Sequence, residues 1–366
     1  MARTSPLRDA FAEAGARFAA GDGVEWAAAV TAPEAEYRAV RQHVGIADGS
    51  ELARIKVTGE KAREVLDALL AGNIQSLPEQ AVRTTLALHE DGRILSDVTV
   101  HCFFDDYLLT AGAGAREALL GRLEAAAPDG VRVEDWSASH GMVRIDGPDA
   151  ADVPRALIGL EAAGLRLMSF AECRLDGVAV MVTRVGSTGE FGYQFMAERD
   201  ALAGILGRLR RLVPEAVLCG REAYDLLQLE MRSFNLRRDV PHGEAPLAAG
   251  LHWMVDFRKP AFLGRDALLG AKARGLERRM VCVRLEGGRP VPEPDATVRL
   301  DGRPVGYVAH AAWSFGLETA IGLAYLDAPV AVVGLPVAID TSDGPAPGTT
   351  VSSPFVKTRS NTGRSR

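Results

Sequence analysis

The chain has few cysteines, and none of them forms a paired motif. Only four occur among 366 residues, at Cys102, Cys173, Cys219 and Cys282, and no two have CxxC spacing. Zinc and iron–sulfur sites usually need closely spaced cysteines, and disulfide scaffolds need many in a short chain. The sequence therefore predicts reduced, mostly buried thiols and no metal site.

A long apolar run and an excess of positive charge are also missing. Charged residues interrupt residues 1–20, so this stretch lacks the apolar core of a signal peptide, and no later run reaches membrane-spanning length. A net charge of -6 gives no broad basic field for nucleic acid. We expect a cytoplasmic protein, monomeric or weakly associating, with neither a membrane nor a nucleic-acid partner.

Among the residues that are present, Asp97 is the most informative. It stands at the head of the β-branched run of residues 98–100, shortly after the turn signal Asp91-Gly92. A carboxylate in this position invites partial desolvation, which raises its pKa and suits it to handling protons or cationic nitrogen. The segment alone leaves a second interpretation open, a solvated turn aspartate.

Short motifs occur along nearly the whole chain. They are Glu36-Tyr37, Gly45-Ile46-Ala47-Asp48-Gly49-Ser50, Lys56-Val57-Thr58-Gly59, Asp91-Gly92, Arg144-Ile145-Asp146-Gly147-Pro148-Asp149, Thr188-Gly189-Glu190-Phe191-Gly192-Tyr193, Leu229-Glu230, Gly250-Leu251-His252-Trp253, Phe262-Leu263-Gly264-Arg265, Pro304-Val305-Gly306-Tyr307, Ile321-Gly322-Leu323-Ala324 and Pro354-Phe355. In this order and spacing the pattern resembles the glycine-cleavage T-protein, or aminomethyltransferase, superfamily of tetrahydrofolate-dependent enzymes.

The order of predicted elements favours an α+β fold. Residues 50–141 give a β-α-β-β-β-α order, which cannot form an all-parallel sheet, with a hairpin signal at Asp91-Gly92. A related order follows from residue 142, and short strands split by Gly and Pro after residue 280 are typical of a small barrel. We also predict an amphipathic helix over residues 6–20.

The resemblance implies how these elements are grouped. It predicts two ferredoxin-like α+β units around a central cavity and a C-terminal β-barrel or jelly roll. We place the first, folate-binding domain in residues 1–49 and 142–250. The second α+β domain, which carries Asp97, takes residues 50–141, and the barrel takes residues 251–366.

The resemblance also assigns the cofactor site. It places Asp97 in the cavity as the catalytic residue, beside the N5 and N10 nitrogens of tetrahydrofolate. A fixed negative charge there stabilises the positive charge that develops as a one-carbon unit arrives or leaves. Val98 and Thr99 are assigned to the cofactor site with it. Trp253 matches a cavity-wall tryptophan that offers a flat surface for ring stacking, although a core tryptophan between domains is the alternative.

One turn departs from the family pattern at its last position. In the family's tyrosine-threonine-glycine-glutamate-aspartate-glycine-x-glutamate turn, the last glutamate binds the ring NH and the exocyclic amine of the pterin. Here Thr188 is kept, but the last position is Gln194. Glutamine accepts through one oxygen only, so one hydrogen bond is lost unless a neighbour compensates. Thr188 and Gln194 are still assigned to the cofactor, the alternative being a tight turn with Phe191 in the core.

A second departure concerns the substrate. Tyr224 and Gln228 replace two arginines of the family's helix, the first of which contacts folate. An alanine-tyrosine pair like Ala223-Tyr224 occurs in the folate-dependent aromatic O-demethylases, where the tyrosine lies against the methyl donor. A phenol can hydrogen-bond a departing oxygen and donate a proton; the alternative is a core tyrosine. Glu51, where these enzymes often have histidine, is assigned with Tyr224 to the substrate.

Together these features predict a demethylase-like, tetrahydrofolate-dependent transferase that moves a methyl or methylene unit to or from a small molecule. Two alternatives stay open. An aminomethyltransferase of glycine cleavage would need a lipoyl-carrier protein as partner, and the changes at Ser187, Gln194, Tyr224 and Gln228 argue against that enzyme and that partner. A non-catalytic folate-binding or iron–sulfur assembly factor would carry a lysine-glycine-cysteine signature, which the sequence lacks.

Overall fold

The computed structural model describes residues 2–159, 164–288 and 290–360. The chain divides into two compact units. The first runs to Ala87, continues from Ser96 to Tyr224 and resumes at Thr358, and the second holds Leu88–Leu95 and Asp225–Lys357. Both predicted α+β regions fall largely in the first unit, and most of the predicted barrel domain falls in the second.

In chain order the helices and strands are α1 (Arg8–Glu13), β1 (Arg17–Gly21), β2 (Val24–Ala29), α2 (Pro33–Gln42), β3 (Gly45–Asp48), β4 (Ala53–Thr58), α3 (Ala62–Leu69), β5 (Val82–Leu88), β6 (Ile94–Cys102), β7 (Asp106–Ala111), α4 (Arg116–Ala126), β8 (Arg132–Asp135), β9 (His140–Asp146), α5 (Val153–Ile158), β10 (Ser169–Leu175), β11 (Val178–Arg184), β12 (Gly192–Glu198), α6 (Leu202–Leu212), β13 (Val217–Cys219), α7 (Arg221–Met231), α8 (Leu236–Asp239), α9 (Arg265–Arg274), β14 (Arg278–Leu285), β15 (Thr297–Leu300), β16 (Arg303–Ser314), β17 (Thr319–Asp327), β18 (Pro336–Thr341) and β19 (Gly344–Val351). Within the described residues, no helix combines the length and the apolar character needed to cross a membrane.

The first unit contains a six-stranded sheet in the order β10-β11-β12-β9-β3-β13. Because side chains alternate along a strand, one face of this sheet is uniformly apolar. Val143, Ile145, Val182 and Phe195 on that face are completely buried in a core shared with apolar residues of α5 and α6. Burying each such side chain contributes roughly 1.5–3 kcal/mol, so this face fixes the sheet against its helices.

A five-stranded sheet, in the order β5-β6-β7-β4-β8, has the same plan. Its chain order β4-α3-β5-β6-β7-α4 matches β9-α5-β10-β11-β12-α6 of the larger sheet, and equivalent strands have equivalent neighbours. The predicted hairpin at Asp91-Gly92 joins β5 to β6, with Gly92 at a φ of 82°. The predicted α+β class and the repeated order are therefore confirmed.

The two sheets pack against each other through their remaining faces, which we call the inner faces. Met142, Met181 and Met196 of the six-stranded sheet share an apolar cluster with Leu108 of β7. His101 of β6 meets the ring of Phe170 of β10 edge to face, with the ring centroids 5.6 Å apart. The inner faces thus touch at an apolar end, and their polar residues lie beyond it.

The second unit contains a closed barrel in the order β14-β17-β16-β15-β18-β19, which confirms the predicted C-terminal barrel. The short β runs after residue 280 predict five of its strands but not the last one, which contains Pro345 and Pro347, residues that are uncommon inside a sheet. The last strand, β19, pairs with β18 from Gly344 but with β14 only from Gly348. Both prolines thus lie where β19 pairs with β18 alone, so their missing N–H groups remove no hydrogen bond to β14.

The helix predicted over residues 6–20 is wrong beyond its first half. Helix α1 ends at Glu13, and β1 pairs with β2 in an antiparallel hairpin. The turn is Asp22-Gly23, with φ angles of 53° and 72°, and such a turn matches the twist of paired strands. The alanine-rich composition favoured a helix, but the turn and strand pairing prevailed.

Candidate active site

The inner face of the six-stranded sheet carries adjacent rows of side chains that change from apolar to polar. Cross-strand register defines the rows as Met181, Met196 and Met142; then Thr183, Gln194 and Arg144; then Gly192 and Asp146. The methionine row packs against the other sheet. The second and third rows therefore form the polar part of the inner face, and we call them the polar rows.

Asp146 is the centre of a buried hydrogen-bond network in the polar rows. The Tyr224 hydroxyl donates to Asp146 Oδ2 at 2.9 Å, and the Thr188 hydroxyl donates to Oδ1 at 3.1 Å. The Arg144 guanidinium lies 4.7 Å from the centroid of the Tyr224 ring and donates to the Ser187 hydroxyl at 3.3 Å. Tyr224 is only 4% exposed, so the start of α7 covers this end of the inner face.

The charges in this network determine where the protons lie. Burial raises the pKa of Asp146, and the Arg144 charge and the hydrogen bonds from Tyr224 and Thr188 counteract that effect. Burial, reinforced by the negative charge of Asp146, raises the pKa of Tyr224 well above its ordinary value. The phenol therefore keeps its proton and directs it at Asp146, which leaves no second proton to donate elsewhere.

Asp97 lies on the inner face of the five-stranded sheet. It is partly buried on β6, and strand alternation places it on the same face as Thr99 and as His101, which contacts the other sheet. The Thr99 hydroxyl lies 3.5 Å from that of Thr84. Val98 points to the opposite face and is fully buried, so its side chain belongs to the outer core and not to the inner face.

The turn that carries Thr188 is held by several polar contacts. Arg41 donates to the Thr188 carbonyl at 2.5 Å and lies 3.6 Å from the carboxylate of Glu190. The Ser360 hydroxyl donates to Glu190 at 2.6 Å. Phe191 packs against the core of the six-stranded sheet. The turn therefore fixes Thr188 next to Asp146, at the edge of the polar rows.

Glu51 forms a separate charged group with Arg221 and Trp26. Its carboxylate is 3.0 Å from the Arg221 guanidinium, and its side chain is 14% exposed. Arg221 in turn lies 3.9 Å from the centroid of the Trp26 ring. Burial and the negative charge of Glu51 raise the pKa of neighbouring Asp48 to about 6. Arg221 and Tyr224 share the first turn of α7, so this group adjoins the polar rows.

Trp253 belongs to the second unit, where it lies in a short 3-10 helix, His252–Met254. Its side chain is 65% exposed. The alternative interpretation as a core tryptophan is therefore wrong, because the ring is open to solvent. An accessible indole is compatible with the predicted stacking role.

The chain matches known proteins over almost its entire length. Residues 7–259 match the GCVT N-terminal domain, and residues 278–357 match the glycine cleavage T-protein C-terminal barrel domain. The chain belongs to the glycine cleavage T-protein family. The aminomethyltransferase of Frankia alni is 34% identical over 97% of this chain and 98% of its own. That of Halothermothrix orenii is 28% identical over 97% and 100% of the respective chains.

A solved member of the family has the same fold. The crystal structure of glycine cleavage system aminomethyltransferase T from Bartonella henselae matches with a TM-score of 0.89 and 25% identity, over 98% of this chain and 99% of that one. The predicted superfamily, its aminomethyltransferase-like class of enzyme and tetrahydrofolate as the cofactor of that class are therefore confirmed.

The residues on the inner face fit a polar heterocycle such as the pterin of tetrahydrofolate. Thr183 is 1% exposed, and its hydroxyl finds no hydrogen-bond partner within the described part of the chain. It is the cross-strand neighbour of Gln194. A buried hydroxyl without a partner costs free energy, and a ligand with N–H donors would satisfy it.

Sequence reasoning missed Arg144, Asp146 and Thr183 as site residues. The run Met142-Val143-Arg144-Ile145-Asp146 contains the signal, because two charged residues alternate with buried apolar ones. Alternation puts both charges on one face of a strand whose other face is core. Thr183 follows the apolar run of residues 178–182 in β11 and gives no such signal by itself.

Proposed function

We propose that this protein is an aminomethyltransferase that moves the one-carbon unit of an aminomethyl donor to tetrahydrofolate. Family membership and relatives named aminomethyltransferase support the proposal. The observation that carries it is Asp97, a carboxylate that lies within strand β6 and is partly buried on an inner face rather than exposed in a turn. This proposal favours the aminomethyl donor over the demethylase-like interpretation.

Bound tetrahydrofolate would supply two amine nitrogens that take the one-carbon unit, and their two protons would leave with the donor's amine, as ammonia, and with the donor's thiol. In this proposal Gln194 holds the pterin from one sheet, Thr188 fixes Asp146 beside it, and Asp97 and Thr99 face it from the other sheet. Asp97 stabilises positive charge at a reacting nitrogen, a type of effect that mutagenesis in other enzymes values at about 3–4 kcal/mol.

We assign Tyr224 a positioning role. Its hydroxyl is bonded to Asp146 and its ring lies against Arg144, so it fixes the polar row that contains Gln194. Glu51 and Arg221 offer opposite charges beside that row. The Glu51 carboxylate would pair with the amine of an aminomethyl donor, so we place that amine beside it.

A methyl donor gives the second candidate function, the demethylase-like transfer. The observation that favours it is Tyr224, together with Gln228, in the helix where the family pattern has arginines. The two candidates differ in the oxidation level of the carbon delivered, because an aminomethyl donor gives methylene and a methyl donor gives methyl. They also differ in partner, since the aminomethyl donor of glycine cleavage is carried on a lipoyl protein.

One experiment distinguishes them. The protein is incubated with tetrahydrofolate and, separately, an aminomethyl-loaded lipoyl carrier, a free aminomethyl thiol, and O-, S- and N-methyl compounds, and the folate products are read by mass spectrometry. With an aminomethyl donor we expect a mass gain of one carbon atom, because the bridging methylene replaces two N–H hydrogens of the folate. A mass gain of CH2, which results when a methyl group replaces one hydrogen, would favour the second candidate, and absence of any folate binding in titration would exclude both. A cytoplasmic location is part of the proposal and is checked by fractionation of the source cells.

A further inference from the structure

We propose that Gln194 and Thr183 together form a three-point recognition site for the pterin ring, with Thr183 taking the exocyclic amine. This inference rests on the proposed function and specifies which side chains recognise which groups of the pterin. It starts from the polar row in which Thr183, Gln194 and Arg144 are cross-strand neighbours. Directly opposed residues on a sheet have Cβ atoms about 4.5–5.5 Å apart, so both side chains reach one small heterocycle.

The chemistry of an amide favours a particular edge of the pterin. That edge presents three groups in sequence: the exocyclic amine, which donates; the ring N3–H, which donates; and the carbonyl O4, which accepts. A carboxylate matches the two donors. The carboxamide of Gln194 has one acceptor and one donor, so it matches N3–H and O4 instead, and leaves the exocyclic amine without an acceptor.

Thr183 is placed to supply that acceptor. Its neighbours in the row are Gln194 on one side and Phe170 on the other, and Phe170 contacts the other sheet. The hydroxyl is 1% exposed and has no partner among the described residues. Valine has the same shape and would leave no unsatisfied polar group at this position. The hydroxyl of Thr183 therefore lowers the stability of the protein without ligand, and a ligand that hydrogen-bonds to it would offset this cost.

The test measures binding rather than turnover. Tetrahydrofolate and its 2-desamino analogue are titrated into the wild type, T183V and T183S, with intrinsic fluorescence as the readout. We expect T183V to bind tetrahydrofolate about tenfold more weakly, the effect of one hydrogen bond, and to bind the analogue as the wild type does. T183S keeps the hydroxyl and should retain most of the affinity. Equal losses for both ligands would overturn the inference.

A second comparison uses the partner residue. In Q194E the carboxylate accepts from both N–H groups by itself, so adding T183V should change tetrahydrofolate affinity less than twofold. An undiminished tenfold effect in that background would contradict the division of roles. This non-additivity is the expected result for two side chains that bind one group.

The protein without ligand provides an independent readout. Because T183V removes a buried, unsatisfied hydroxyl, we expect its melting temperature to equal or exceed that of the wild type. A clear decrease would show that the hydroxyl is already bonded inside the fold and would overturn the inference. If the wild type fails to bind tetrahydrofolate, the proposed function falls and this inference with it. If the wild type binds and T183V binds equally well, only this inference falls.

Discussion

The hydroxyl of Tyr224 donates a 2.9 Å hydrogen bond to Oδ2 of Asp146, and neither residue is open to solvent. The bond joins the first turn of α7 to the last residue of β9. A hydrogen bond to a buried charged acceptor contributes more than one between neutral groups. Tyr224, expected from its sequence position to contact the substrate, is thus also part of the structure that holds the polar rows.

Replacing Tyr224 by phenylalanine should destabilise the protein. Y224F leaves Asp146 buried with one hydrogen bond fewer, and we expect the free energy of unfolding to fall by about 1–3 kcal/mol. Urea denaturation measures it. The matched control is Y193F. The Tyr193 hydroxyl makes only a 3.4 Å contact with the Ala151 carbonyl, so its removal should lower the free energy of unfolding less. Equal stability of the two variants would contradict the role of the Asp146 bond.

Replacing Asp97 should remove activity without unfolding the protein. D97N keeps the shape of the side chain but loses its charge, and we expect turnover to fall at least about 100-fold. The melting temperature and the affinity for tetrahydrofolate should change little. D105N, an exposed aspartate in the turn after the same strand, is the control and should keep full activity. Wild-type turnover in D97N would exclude a charge-stabilising role.

Asp48 should make stability depend on pH. Its pKa in the folded protein is raised to about 6 from an ordinary value of 3.8 by burial and by the charge of Glu51. The folded state therefore binds the proton more tightly, and this stabilisation is present below pH 4 and is lost as pH rises through 6. We expect the free energy of unfolding of D48N to exceed that of the wild type by about 3 kcal/mol at pH 7, with the difference vanishing near pH 4.

Glu51 provides the check on that cause. Because its charge contributes to the raised pKa of Asp48, E51Q should move the pH-dependent loss of stability to lower pH. Denaturation curves at half-unit pH steps would show the movement. If the stability of D48N depends on pH in the same way as that of the wild type, Asp48 does not titrate in this range.

Gly192 should tolerate no side chain. A Cβ added there would lie 2.7 Å from the Val185 carbonyl oxygen and 2.8 Å from Oδ1 of Asp146. We expect G192A to cost about 1–3 kcal/mol through this crowding and to weaken tetrahydrofolate binding as Asp146 shifts. In G204A, on α6, the new Cβ meets nothing within 4 Å, so this control should match or exceed wild-type stability. Equal stability of G192A and G204A would exclude this crowding.

Much of the fold could be predicted because its signals are local. Asp91-Gly92 predicts its hairpin through the backbone freedom of glycine, and the repeated β-α-β-β-β-α order follows from alternation and turn residues. Local signals also misled. The alanines of residues 6–20 predicted a long helix, whereas the turn at Asp22-Gly23 and the pairing of β1 with β2 gave a hairpin. The prolines of β19 argue against a strand, yet this segment pairs with the adjacent β18 and with the distant β14.

The sequence by itself determined the family, the order of the elements and the carboxylate at Asp97, because ordered motifs and alternation are properties of the chain alone. Only the tertiary structure decided that Arg144, Asp146 and Tyr224 form one network and that Thr183 lies beside Gln194. Asp146 and Tyr224, for example, are 78 positions apart in the sequence. Cross-strand register and burial bring them together, and neither is visible in any single segment.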